Sequence, residues 1–337
     1  MKKTMIALAA AAALATSGAA FAQATITGFM AYGYGVTAIG KNATTTASNS
    51  GGFGLDTAEL YITAKEDLGG GMTAGGTMGF GGLGRGESLY GHNYTMYVQN
   101  AMGKLTLGAV KSGDYISSGL ASSGVNYYDF GDKGNFGKRT SRDIISLDFP
   151  VGPISLTLSH QEGGDQTGSF GGAEGSTGQR LSIVSATYAA DALKVNAQYF
   201  TADNQVANSQ SSLASVIRLS GNYNLGVATV GAGIQRQNLV FGNTATNLGF
   251  SAALPMGALT LGVMVGSRVT EGFTTVDTGN AKTSTSTAMN GTQASYSLNA
   301  NYALSKRTGV TGQFSNWDNG VGGDKSSHTM LLLTHSF

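Results

Sequence analysis

The sequence predicts an all-β fold, a 16-stranded antiparallel β-barrel that spans a membrane. Apolar and polar residues alternate with a period of two through nearly all of the chain after residue 22, which is the pattern of strands with one apolar face. No comparable stretch shows the 3.6-residue period of a helix. Short turns and long polar loops also alternate strictly, as they do in transmembrane barrels with an even number of strands.

The composition excludes several other classes of protein. The chain has 337 residues, with 52 glycines, three prolines, no cysteine and a formal net charge of +1. The 14 Tyr and 14 Phe argue against a disordered chain. The absence of cysteine excludes a disulfide-stapled domain. The near-neutral charge argues against nucleic acid as a partner.

The first 22 residues predict a secretory signal peptide that is cleaved off. Met1-Lys2-Lys3 is a basic start, the apolar run 5–15 is too short to span a bilayer, and Ala20-Phe21-Ala22 resembles a cleavage site. The mature domain is then 23–337. Its formal charge is −1, because loss of Lys2 and Lys3 leaves 18 of the 20 basic residues against 19 acidic ones.

The turns and loops define the number of strands. Short turns are predicted at 67–71, 101–104, 150–153, 190–192, 224–227, 254–258 and 304–308, and all three prolines lie within them. Long polar connections are predicted at 41–54, 81–91, 112–138, 162–178, 202–212, 237–244, 270–290 and 316–326. The seven turns join fourteen strands, and the first strand (23–37) and last strand (327–337) complete sixteen.

Closure of the sheet explains how such a chain can lie in lipid, because a closed barrel pairs every backbone group internally. A secreted β-sandwich or β-helix would also show alternation. Neither would keep one class of connection short and the other long through seven cycles.

Aromatic residues predict which face of the wall meets lipid. Aromatic side chains lie one or two residues before four of the short turns and at the end of the chain: Phe149, Tyr188, Tyr223, Tyr302 and Phe337. Such residues form belts at membrane interfaces, so this set predicts an outward periplasmic belt. Successive residues of a strand point to opposite faces. Arg142 and Arg218 lie an odd number of residues from the belt aromatic of their strand and are predicted to face the lumen, whereas Arg180 lies an even number away and is predicted to face outward near the outer rim. Glu59, Lys65, Lys194 and Arg268 also have lumen parity.

The chain resembles the Gram-negative general porins, most closely their betaproteobacterial branch. The resemblance rests on the start Ala24-Thr-Ile-Thr-Gly-Phe-Met-Ala-Tyr-Gly, on Tyr302-Ala-Leu-Ser-Lys-Arg-Thr308, and on the ending Leu331-Leu-Leu-Thr-His-Ser-Phe337. It implies a homotrimer among the lipids and lipopolysaccharide of the Gram-negative outer membrane. It also implies passive diffusion of small hydrophilic solutes and ions, no cofactor, and Phe337 as the signal for the barrel assembly machinery.

The resemblance further implies that the third long loop, 112–138, folds into the barrel and narrows the pore. Within it, Tyr128-Asp-Phe-Gly-Asp132 is similar to the acidic Pro-Glu-Phe-Gly-Gly-Asp stretch of enterobacterial porins. Charges at a constriction determine which ions pass, and low-dielectric walls focus their field. The candidates are the acids Asp114, Asp129 and Asp132 and the bases Arg142, Arg218, Arg85 and Arg139.

Three of these arginines also have a simpler interpretation. Arg142 could pair with Asp129 or Asp132 and tie the loop down, which is compatible with a role in the pore. Arg218 could line a wide part of the lumen, and Arg85 could be a solvated loop charge.

The chain departs from the ladder of arginines that members of this branch carry on the second, third and sixth strands. The lumen positions of its second strand are Thr57, Glu59, Tyr61, Thr63 and Lys65, and those of its third are Thr73, Gly75, Thr77 and Gly79. The sequence therefore predicts a weak ion preference.

Rival functions stay open at this point. A solute-specific channel would carry a slide of stacked aromatics in its lumen. An outer-membrane hydrolase needs a nucleophile and a base in contact, but the neighbours Ser159 and His160 point to opposite faces of a strand. A structural or adhesive barrel would use the Ser/Thr-rich loops at 42–50 and 283–287. Without cysteine or clustered histidine no metal site is predicted, although the loop acids Asp165, Glu174 and Asp324 could hold calcium at the outer surface. No enzyme activity is predicted.

Overall fold

Sixteen antiparallel strands close into one barrel in which each strand pairs with its two sequence neighbours and β1 pairs with β16. In this computed structural model the described residues are 23–42, 45–82, 90–111, 141–162, 179–204, 213–239, 242–272 and 290–337. The strands are β1 Gln23–Ile39, β2 Ser48–Gly69, β3 Met72–Gly81, β4 Tyr90–Asn100, β5 Gly103–Lys111, β6 Ser141–Val151, β7 Ile154–Glu162, β8 Gln179–Ala190, β9 Leu193–Asn204, β10 Leu213–Asn224, β11 Thr229–Leu239, β12 Thr244–Met256, β13 Leu259–Glu271, β14 Gly291–Ala303, β15 Thr308–Asp318 and β16 Lys325–Ser336. The predicted strand number is confirmed.

The predicted short turns all join consecutive strands. Five of the seven contain only two residues, and four of these five include a positive φ angle, which glycine adopts without steric cost. Gly70 has φ of 61° and Gly71 has φ of 77°. At the turn after β8 the same region is occupied by Asp191, with φ of 49°; aspartate is one of the few other residues that tolerate it. In the described part of the chain no helix is long and apolar enough to cross a membrane.

The strands extend further than the sequence predicts, mainly at their outer ends. The segment 48–54 is rich in Ser, Gly and Asn and is predicted as loop, but it belongs to β2. Its polar residues pair with the end of β1, where Ser48 lies opposite Ile39 and Ser50 opposite Thr37. A partner strand therefore overrides weak local propensity. Pro150 and Pro255 likewise lie at the next-to-last positions of β6 and β12 rather than in turns.

The outward face is apolar, and its parity agrees with the aromatic belt. Tyr188, Tyr223, Tyr302 and Phe337 are exposed on the outside of the barrel. On β6, Ile145 and Leu147 are also exposed and have the same parity as Phe149. The predicted orientation of the wall is confirmed.

The first and last strands close the barrel. Gly28 N donates to the Phe337 carbonyl at 3.0 Å, and Phe337 N donates to the Gly28 carbonyl at 3.1 Å. The Phe337 ring covers Gly28 so closely that a Cβ on this glycine would lie 2.2 Å from Cζ of the ring. At the outer end, Gly40 N donates to Ser326 Oγ at 2.9 Å. Both ends of the β1–β16 seam are thus fastened.

Candidate functional site: the barrel lumen

Polar side chains line the inside of the barrel because each strand buries every second residue away from lipid. On β3 the exposed Met72 and Met78 point outward, so Thr73, Gly75, Thr77 and Gly79 point inward. Across β2 and β3 the hydroxyls of Thr63 and Thr77 lie 3.1 Å apart. The lumen parity predicted for these two strands is confirmed.

Arg142 lies in the second position of β6 and faces the lumen. It lies opposite Val110 of β5, and the outward side chains of the same strand are Asp143, Ile145 and Leu147. Arg142 is half-buried and has at least one polar or charged partner. Its strand begins directly after the third long connection.

Arg218 also faces inward, but it is built into the wall. It is 1% exposed. Its Nε donates to Gln235 Oε1 at 2.7 Å and its Nη1 donates to Gln198 Oε1 at 2.9 Å, while the guanidinium lies 5.3 Å from the centre of the Phe200 ring. Two neighbouring strands, β9 and β11, therefore hold the cation in place. The sequence could not show this, because both glutamines are recognised as partners only once the strand register is known.

The other predicted site residues fall in two groups. Arg85, Asp114, Asp129, Asp132 and Arg139 lie outside the described residues, as does the whole of the loop 112–138. Phe337 lies at the β1–β16 seam, as described above.

Sequence reasoning missed a cluster on the inner wall near the periplasmic turns. Lys104 of β5 lies opposite Asp148 of β6, and its Nζ lies 4.4 Å from the centre of the Tyr97 ring. Asp148 accepts a hydrogen bond from the Thr157 hydroxyl of β7. The signal was present, because Lys104 and Thr106 alternate with the outward Leu105 and Leu107.

Basic groups outnumber acidic ones among the lumen-facing side chains of the described strands. Basic residues with lumen parity are Lys65, Lys104, Arg142, Lys194, Arg218 and Arg268, and acidic ones are Glu59, Asp67 and Asp148. The described wall therefore carries a net positive charge.

Charged residues with outward parity lie at the outer ends of their strands, except Glu66, which lies near the periplasmic end of β2. Asp143, Glu162, Arg180 and Asp203 form a row of directly opposed residues across β6 to β9. Arg180 Nε lies 3.5 Å from Glu162 Oε1, as expected for a charge at the rim. The predicted outward position of Arg180 is confirmed, while the outward Arg236 on β11 was not anticipated.

A serine, a histidine and a glutamate also meet on this outer surface. His160 Nε2 lies 3.3 Å from Glu162 Oε1, and His160 Nδ1 lies 3.5 Å from Ser182 Oγ. Ser159 faces the lumen, so the adjacent pair Ser159-His160 is not assembled. The residues around Ser182 lie in the paired ladder of β7, β8 and β9. Backbone N–H groups used in that ladder are not available to stabilise an oxyanion.

Comparison with known proteins agrees with this architecture. The family model described as Gram-negative porin matches residues 7–321. A comparison with the sequences of curated proteins finds no match.

Solved structures show the same fold. The anion-selective porin from Comamonas acidovorans superposes with a TM-score of 0.68 at 18% identity, covering 94% of this chain and 100% of that one. A mutant of Rh. blastica porin gives a TM-score of 0.60 at 15% identity, covering 94% and 100%. The loop L8 deletion mutant of OmpT, an outer membrane protein of Vibrio cholerae, gives 0.63 at 11% identity, covering 94% and 99%. With a closed sixteen-stranded barrel and a family match over nearly its whole length, the chain belongs to the Gram-negative porins, β-barrel proteins of the outer membrane.

Proposed function

We propose that this outer-membrane diffusion porin is a general one, which passes small hydrophilic solutes and ions with a weak ion preference. The observation that carries the proposal is the closed barrel with an apolar outside and a wall of Thr, Ser, Asn, Gly and scattered charges inside. Such a barrel encloses an aqueous channel when it has sixteen strands. Passage through it needs no reaction, so we propose no enzyme activity and no cofactor.

We assign the constriction to the segment 112–138, with Asp114, Asp129 and Asp132 opposite Arg142. Arg142 supports this assignment because it faces the lumen where β6 follows the loop. Arg218 contributes less to the field in the pore, since two glutamines and a ring surround its guanidinium. We propose that Arg85 and Arg139 flank this constriction.

The preference that we propose is weak and directed toward anions. The excess of lysine and arginine on the described wall favours anions, and the three loop acids offset part of that excess. Salt ions dissolved in the water of a wide lumen screen both sets of charges over about 8–10 Å at ordinary ionic strength.

We further propose that the chain forms homotrimers in the lipids and lipopolysaccharide of the outer membrane. The exposed methionines support contact between copies, because five of the six in the described residues lie between β1 and β5, the sixth being Met256 of β12. The five are Met30, Met72, Met78, Met96 and, in the turn after β4, Met102. Methionine is flexible and polarisable and suits protein contact surfaces. Phe337, exposed at the terminal seam, is proposed as the feature that the barrel assembly machinery reads.

Single-channel recording of the refolded protein in stepped KCl tests the function. We expect current steps in groups of three and conductance that rises linearly with salt. Conductance that saturates with one ion would indicate a specific channel. The absence of any current would contradict the proposal.

Replacing Arg142 with alanine should shift the reversal potential in a KCl gradient toward cation preference. The reason is that one cation leaves the lumen wall beside the proposed constriction. Arg180→Ala removes the same charge from the outside of the barrel and serves as the control. Equal shifts in the two variants, or none in Arg142→Ala, would give Arg142 a purely structural role.

A further inference from the structure

Tyrosine rings lie over glycines on one side of the lumen. Strand β3 carries glycine at the inward positions 75, 79 and 81. Tyr97 of β4 lies opposite Gly75, Tyr61 of β2 lies opposite Gly79, and Tyr90 of β4 lies opposite Gly81. We call these three rings the tyrosine track.

Each ring occupies the space that a side chain on β3 would need. A Cβ on Gly75 would lie 2.7 Å from the Tyr97 hydroxyl and 2.8 Å from its Cε1. A Cβ on Gly79 would lie 2.7 Å from Tyr61 Cε1. A Cβ on Gly81 would have the Tyr90 ring as its three nearest contacts, at 2.7, 2.7 and 2.9 Å. The glycines thus let the rings lie along the wall instead of standing across the lumen.

A β-bulge brings the third ring into the track. On β4 the exposed Tyr94, Met96 and Val98 point outward, and simple alternation would send Tyr90 outward as well. The pairing with β3 instead shifts by one residue, since Met78 lies opposite Tyr94 but Phe80 lies opposite Gly91. Bulges re-aim side chains in this way, and here the result is that Tyr90 shares the inward face with Gly81.

Polar groups hold the tyrosine track in place and lie along its edges. The Tyr61 hydroxyl donates to Glu59 Oε2 at 2.7 Å. The side chain of Asn93 is a second polar neighbour of the Tyr61 hydroxyl. At the lower end Lys104 packs on Tyr97. Along β3 the track extends over about 20 Å, from Gly75 to Gly81 at roughly 3.3 Å per residue.

We propose that the tyrosine track is a low-affinity binding site for neutral sugars, above all linear oligosaccharides, on their way through the pore. The proposal rests on the diffusion function and adds a substrate class to it. A sugar ring has an apolar C–H face that packs on an aromatic face, and hydroxyl edges that bond to carboxylates and amides. Apolar faces combined with a few placed polar groups are typical of small-molecule sites.

Blocking of the ion current by sugar tests the site. Maltotriose, glucose and glycerol at matched viscosity are added to trimers conducting KCl. We expect maltotriose to reduce the current saturably and at lower concentration than glucose, because it spans neighbouring rings. Tyr61→Leu and Tyr97→Leu should each raise the half-blocking concentration of maltotriose at least threefold.

Matched variants separate the track from the rest of the wall. Tyr94→Leu changes an outward ring on the same strand and should leave the block unchanged. Gly81→Ala displaces the Tyr90 ring without removing it and should weaken the block. A Cβ on Gly91 would have its nearest neighbour, Tyr94 Cε1, at 3.6 Å, so Gly91→Ala should leave the block unchanged.

Three outcomes would overturn the proposal. The first is that maltotriose blocks the current no more strongly than glycerol. The second is that Tyr61→Leu and Tyr97→Leu are blocked by maltotriose as easily as the wild type. The third is that Tyr94→Leu loses as much of the block as these two variants. Any of these would leave the diffusion porin intact. A protein that passes no ions at all would overturn the pore and this site with it.

Discussion

Replacing Gly33 with alanine is expected to cause the largest loss of folded barrel of any conservative change at the β1–β16 seam. Gly33 lies opposite Leu332. A Cβ there would lie 2.0 Å from the Leu331 carbonyl oxygen and 2.8 Å from Leu332 Cα. These atoms are backbone and cannot rotate away, so β16 has to move and its ladder with β1 is strained. Overpacking of this kind costs on the order of 3 kcal/mol.

The change is measured by urea unfolding of refolded protein, followed by the mobility of unheated and heated samples on a gel. Gly35→Ala is the control, since it lies two residues further along the same strand and face. A Cβ on Gly35 has its nearest neighbour, His328 Cε1, at 3.7 Å, an ordinary contact. If both variants unfold at the same urea concentration, the close approach of Gly33 to the Leu331 carbonyl does not limit the stability of the seam.

Leu158→Arg should destabilise the barrel by about 2–4 kcal/mol, the cost of an arginine on the lipid face near the bilayer midplane. Leu158 lies in the middle of β7 and points outward with 45% of its surface exposed. Its directly opposed neighbours across the strands are Leu147 and Val184, so the guanidinium has no polar side chain beside it at the same level of the wall. Unfolding in lipid vesicles measures the free energy.

Ser159→Arg places the same residue one position along, on the lumen face. Water in the pore hydrates the cation, so the free energy of unfolding should change by less than about 1 kcal/mol. The reversal potential should instead move toward anions. A large destabilisation by Ser159→Arg, or none by Leu158→Arg, would mean that the two faces of β7 have been exchanged.

Much of the fold follows from the sequence because two signals repeat around the whole wall. Alternation with a period of two separates the faces, and the aromatic residues before the turns decide which face is outward. Arg142 and Arg180 were oriented in this way, with opposite results, and the structure places both as predicted. Each short turn is also a local feature, readable from a few residues such as Gly70 and Gly71.

What the sequence did not reveal depends on register. Tyr90 faces inward only because β4 contains a bulge, and nothing in the letters around it marks the extra residue. The polar segment 48–54 is a strand because β1 lies beside it. Arg218 looks like a pore-lining cation until Gln198 and Gln235 are found on the strands either side. Such facts belong to pairs of strands rather than to single segments.

The seam at Gly28 and Phe337 also sets an order of events. Its two partners flank the pairing of the first and last strands of the barrel, so the sheet cannot close until β16 has been made and lies beside β1. Contacts between such distant residues form slowly, and an open sheet exposes unpaired edges while it waits. A copy without β16 would therefore keep two unpaired edges permanently. Because β1 and β16 are the closing pair, delivery of β16 is the condition for leaving that aggregation-prone state.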